Sequence, residues 1–117
     1  MTTNNGIRRA RSTHLVAALL DLGNVPAAVV DRAADDLSPD IATDLVFMAS
    51  EHAAMTRAGD YLDKARARAR AAGDRRPVAL AYGSDRQTGR IEPLVLMTAE
   101  DFARLVARVA DAEEVAA

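Results

Sequence analysis

The chain has no cysteine, no tryptophan and a single lysine, and two tyrosines and two phenylalanines are its only aromatic residues. Without cysteine there is no disulfide, no thiolate metal site and no thiol nucleophile, and the expected compartment is the cytoplasm. So few aromatics leave little on which single-stranded bases could stack. No apolar run approaches the roughly 20 residues that span a bilayer, so no membrane partner is expected. The first eleven residues also lack the apolar stretch of a signal peptide.

Large aliphatic side chains are scarce as well. Alanine supplies 26 of the 117 residues, and Leu, Ile, Val and Phe together supply another 26. Alanine removes little area from water, so the core must be thin. A thin core in a chain of this size is often completed by another subunit, and a homodimer is the expected assembly. The length fits one domain, 1–117, with frayed ends at 1–6 and 112–117.

What is present reads first as helix. From Arg8, Leu15, Leu19 and Leu22 form one stripe with Val16 and Leu20 beside it. Gly23 can end that helix in a left-handed conformation and Asn24 can cap a second. Pro26 then lies in the first turn, and Val29, Val30, Ala33 and Leu37 form a buried face. Ser38-Pro39-Asp40 has the chemistry of a helix start: a capping hydroxyl, a preset φ and an acid at the positive end of the dipole. From there the apolar positions Ile41, Leu45, Met48, His52, Met55, Gly59 and Leu62 alternate steps of four and three. That is the seam of a helix packed along another, and it predicts one long central helix ending at Gly73.

Beyond Gly73 the period changes. Pro77 to Tyr82 alternates large and small side chains, as a strand with one packed face would, and Ile91 to Met97 is a second apolar run beyond a polar loop. The two read as a β-hairpin. Thr98-Ala99-Glu100-Asp101 then opens a last helix whose expected buried stripe is Phe102, Leu105, Val106 and Val109. The expected fold is α+β, mostly α: an N-terminal helical hairpin, a long central helix, a β-hairpin and a C-terminal helix (α-α-α-β-β-α). Residues 7–73 make the helical part, and 76–111 the hairpin with its helix.

Charge is segregated along the chain. Residues 21–51 carry a net −6 and residues 57–90 a net +5, although the whole chain carries only −2. Arg66, Arg68 and Arg70 alternate by two, which throws Arg68 about 160° from its neighbours on a helix. The basic block therefore has three readings: a solvated face laced with weak ion pairs, a phosphate-contacting patch, or a contact for an acidic protein. The residues that would make such a contact with nucleic acid or partner are Arg66, Arg70, Arg75, Arg76, Arg86 and Arg90.

Catalytic signatures are missing. His52 has no second ligand at zinc spacing on its helical face. None of the serines Ser12, Ser38, Ser50 and Ser84 sits in a nucleophile context. The glycines at 83 and 89 match neither a phosphate-binding loop nor a dinucleotide fingerprint. A helix-turn-helix reader over 24–37 would present Asp31, Asp35 and Asp36 to DNA phosphates, which would repel it. No cofactor, metal or small-molecule substrate is evident, and the chain is expected not to be an enzyme.

Residues 61–105 carry a resemblance. A helix, Gly73, a strand led by Pro77-Val78, a turn closing at Gly89, a second strand and Met97-Thr98-Ala99-Glu100-Asp101-Phe102 are similar to the dimer-forming part of Phd/YefM-type antitoxins. The resemblance implies pairing through this module, arginine contacts to operator DNA and a C-terminal segment that holds a toxin. Together these observations predict a small regulatory or adaptor protein that acts through homodimerisation and an unidentified protein partner. The alternative is a DNA-binding, antitoxin-like repressor using the arginine-rich segment 64–90.

Overall fold

A computed structural model describes residues 4–52, 55–85 and 91–116. Five strands form one mixed sheet in the order β1-β2-β3-β4-β5. They are β1 (Ala28–Val29), β2 (Ile41–Ala42), β3 (Phe47–His52), β4 (Val78–Asp85) and β5 (Ile91–Leu96). Three helices accompany them: α1 (Asn4–Leu22), α2 (Ala58–Ala71), entered through a 3₁₀ turn at Met55–Arg57, and α3 (Ala99–Ala116).

The pivot of the sheet is the parallel pair β3–β4, in which Phe47 lies opposite Val78 and Ser50 opposite Ala81. Parallel neighbours need a crossover between them, and α2 supplies it. The other ladders are antiparallel, including β4–β5, with Leu80 opposite Leu96.

Alternation along the central strands divides the core into two layers. Phe47, Ala49, Val78, Leu80 and Tyr82 pack against Leu62, Ala65 and Ala69 of α2. Met48, Ala79 and Ala81 point the other way, against Val16, Ala17 and the flanking Leu20 of α1. Small residues recur wherever helix meets sheet, so the abundant alanine serves close helix–sheet approach. Leu105 of α3 and Met97 join the α1 layer at its margin.

This architecture overturns the expected α-α-α-β-β-α order. There is no N-terminal helical hairpin and no long central helix. Ile41 lies in β2, Leu45 in the turn after it, Met48 and His52 in β3 and Met55 in the 3₁₀ turn; only Leu62 stands on α2. The part expected to be helical, 7–73, holds three of the five strands. The reason is burial on both faces. A central strand covered by helices above and below is apolar at successive positions, and Val46 to Ser50 are all buried. Such a run offers a match to any spacing, the four–three seam included.

Two local signals also resolved differently. After α1 the left-handed residue is Asn24, at φ 62°, and the chain turns out of the helix there without starting another. At Ser38 the backbone N–H and the hydroxyl both donate to Asp36 Oδ1, at 2.9 and 2.7 Å. The serine closes an aspartate turn in place of capping a helix. Thr98 does cap α3: the Asp101 N–H donates to its Oγ1 at 3.1 Å. Gly73, at φ 71°, ends α2 in the left-handed region.

Candidate functional site

Two polar clusters stand out, and their chemistry differs. The first is built on Asp40, which enters the sheet just before β2. Its Oδ1 accepts from Arg32 Nε at 3.0 Å, and its Oδ2 accepts from Arg68 at 3.0 Å and from the Ser50 N–H at 2.8 Å. Burial alone would raise the Asp40 pKa. The Ser50 N–H and the Arg68 and Arg32 guanidiniums outweigh it and hold the carboxyl below its ordinary range. Arg68 also lies over the Phe47 ring, 5.5 Å from its centroid. A carboxylate so occupied has no proton to give at neutral pH. The cluster fastens the β1–β2 connection, β3 and α2 together.

The second cluster is open. The C-terminal turns of α2, the connection into β4 and the first turns of α3 surround a cavity of about 310 Å³. Arg66 and Arg70 reach it from one stripe of α2, Arg75 and Arg76 from the connection, and Arg104 from α3; Asp74 and Asp101 are its acids. Five guanidiniums against two carboxylates leave it strongly positive.

Several of those charges are already committed. Asp101 Oδ2 accepts from the Val78 N–H at 3.2 Å and its Oδ1 from Arg104 at 3.0 Å. Arg104 also donates to the Arg75 carbonyl, which locks α3 onto the connection. Asp74 accepts from Arg76 through both oxygens, and that guanidinium holds the Asp74 carboxyl below its ordinary range. Arg76 donates onward to the Thr43 carbonyl at 2.6 Å, so it braces the β2–β3 turn. Arg66 stands 3.9 Å from Asp101, an ion pair without a hydrogen bond. Arg70 and Arg75 are exposed and make no ion pair among the described residues.

Of the six arginines expected to contact nucleic acid or a partner, Arg66, Arg70, Arg75 and Arg76 line this one cavity, while Arg86 and Arg90 fall outside the described residues. Arg68 is turned away onto Asp40. Asp74, Asp101 and Arg104 belong to the site without being among the residues expected from the sequence. Only one signal pointed to the last: Asp101 and Arg104 are one helical turn apart and so share a face. The residues expected to form a single helix seam, Ile41, Leu45, Met48, His52, Met55 and Leu62, are dispersed over several elements: Ile41 and Met48 share the α1 layer with Leu45 at its margin, whereas Leu62 packs in the α2 layer. Among the described residues no three His, Asp or Glu side chains come together as metal ligands, and no helix is long and apolar enough to cross a membrane.

Comparisons with protein-family models, with curated proteins and with solved structures return no match.

Proposed function

We propose that this chain is a non-enzymatic regulatory or adaptor protein of the cytoplasm that pairs with a second copy of itself and presents the paired surface to a protein partner. The observation that carries this reading is the outer face of α3. Phe102, Val106 and Val109 recur at helical spacing and are 58%, 51% and 38% exposed. Ala103, Ala107 and Ala110 flank them on one side, and the charges of Arg104 and Arg108 lie on the side that grips the body. α1 has a similar open stripe at Leu15, Leu19 and Leu22. A surface helix normally turns its apolar stripe inward and leaves its polar face to water.

The surface area is sufficient for a second copy. The chain exposes 7673 Å² for a mass of 12.5 kDa. A compact monomer of that mass exposes about 6,200 Å², so the excess is roughly 1,500 Å². A standard interface takes about 800 Å² from each partner, which this excess can supply. The carboxyls held low, on Asp36, Asp40 and Asp74, are kept ionised by their partners.

Sedimentation equilibrium tests the pairing. The chain is expected at about twice 12.5 kDa, and Phe102→Glu with Val106→Glu should return it to the monomer with its circular dichroism intact. A wild-type chain that sediments as a monomer across the micromolar range defeats the proposal.

A DNA-binding, antitoxin-like repressor is the second reading, favoured by the gathering of Arg66, Arg70, Arg75 and Arg76 on one cavity. Retention of duplex DNA that weakens steeply with salt would support it.

A further inference from the structure

We propose that the arginine-lined cavity between α2 and α3 binds the phosphate group of a small phosphate monoester. The proposal does not depend on pairing through α3, because Arg104 points away from the Phe102 side of that helix.

Charge gives the class of ligand. After Asp74 and Asp101 are set against Arg76 and Arg104, three guanidiniums remain around the cavity: Arg70, Arg75 and the loosely held Arg66. Arginines that line one concave space in excess of its carboxylates repel one another, and an anion would relieve that repulsion. Guanidinium forks suit the paired oxygens of a phosphate, and a phosphate monoester offers three such oxygens with nearly two negative charges at neutral pH. A lone carboxylate would satisfy one fork and leave the others facing each other.

Shape and surroundings set the size. On the far side of Asp74, a neighbouring cavity is walled by Asp36, and Glu100 stands exposed at the start of α3. A long polyanion laid across the cavity would run onto these acids, whereas one phosphate group need not leave the basic ring. Among the described residues no aromatic side chain lines the cavity, so a splayed base would find nothing there to stack on. The scaffold is already fixed: Arg76 is braced on Thr43, Asp101 on the Val78 N–H and Arg104 on the Arg75 carbonyl. Only Arg66, Arg70 and Arg75 have to settle on the ligand.

The test titrates the full chain with inorganic phosphate and, separately, with glycerol 3-phosphate, following the arginine Nε–H resonances and the heat of binding. Saturable one-to-one binding with Kd of about 1 mM or tighter is expected. Arg70→Ala with Arg75→Ala should weaken it by about tenfold or more at an unchanged urea midpoint, while Arg57→Ala, on the ion pair with Asp60, should leave it intact. A phosphate monoester loses its second charge near pH 6, so the affinity of glycerol 3-phosphate should fall as the pH is lowered through that value, and that of sulfate should not. Three results would overturn the proposal: no saturation by either compound at about ten times that concentration; unchanged affinity in the double variant; or a short DNA duplex held through Arg70 and Arg75 that neither compound displaces.

Discussion

Asp40 and Arg68, 28 positions apart in the chain, meet with carboxylate Oδ2 and guanidinium nitrogen 3.0 Å apart. The pair ties the entry to β2 to the underside of α2, and Arg32 closes it from the other side at 3.0 Å. Neither arginine has much water to fall back on. Asp40→Ala should therefore strand two guanidiniums and lower unfolding free energy by about 3 kcal/mol, read as a shift of the urea midpoint at constant slope. Asp40→Asn, which keeps the shape and one acceptor, should cost less. Equal midpoints for wild type and Asp40→Ala would show that the pair contributes nothing.

Acid should unfold the protein through the same groups. Asp40 and Asp74 both have pKa values below the ordinary 3.8 in the folded chain. A depressed carboxyl stabilises the fold above its unfolded pKa and loses that stabilisation as the pH falls through its folded value. Stability attributable to these groups should be level from neutral pH down to about 5 and fall below about 4. The fall should be shallower in Asp40→Asn. Denaturant midpoints measured across that range check both the level and the slope.

Gly59, in the first turn of α2, and Gly73, just beyond its end, should respond oppositely to alanine. A Cβ at Gly59 would meet nothing within 4 Å, in a residue of ordinary helical conformation. Gly59→Ala should raise stability by about 0.5–1 kcal/mol. Gly73 also has open space but sits at φ 71°, so Gly73→Ala should cost about 1 kcal/mol. Thermal midpoints of the two variants moving the same way would contradict this.

Arg76 holds Asp74 and the Thr43 carbonyl at once. Replacing it with alanine should destabilise by about 1–2 kcal/mol. Lysine should recover only part, since a single ammonium cannot reproduce the fork. Urea midpoints of the three chains should order as Arg, Lys, Ala.

What could be read from the sequence follows the range of the forces involved. Short-range signals such as the stop at Gly73 and the cap at Thr98 have counterparts in the structure because each is settled within a few residues. Over Val46 to Ser50 strand identity depends on α1 and α2 covering both faces, a fact no local period records. Ser38-Pro39-Asp40 misled for a related reason. Its side chains could cap a helix, but Asp36, Arg32 and Arg68 claim them first. The candidate site was half visible: Arg66 and Arg70 share a helix face, but their meeting with Arg75 and Arg104 depends on where α3 comes to rest.

Strand β4 touches both hydrophobic layers at once, Leu80 on one side and Ala79 and Ala81 on the other, and it is bonded to a neighbour along each edge. Its amides can exchange with solvent only when the whole molecule opens. α3, fastened chiefly at its first turns, can fray from its far end at much lower cost. Deuterium uptake should therefore progress from the carboxyl end of α3 inward and reach residues 79–82 last, so that a single slow rate at those four amides reports global opening.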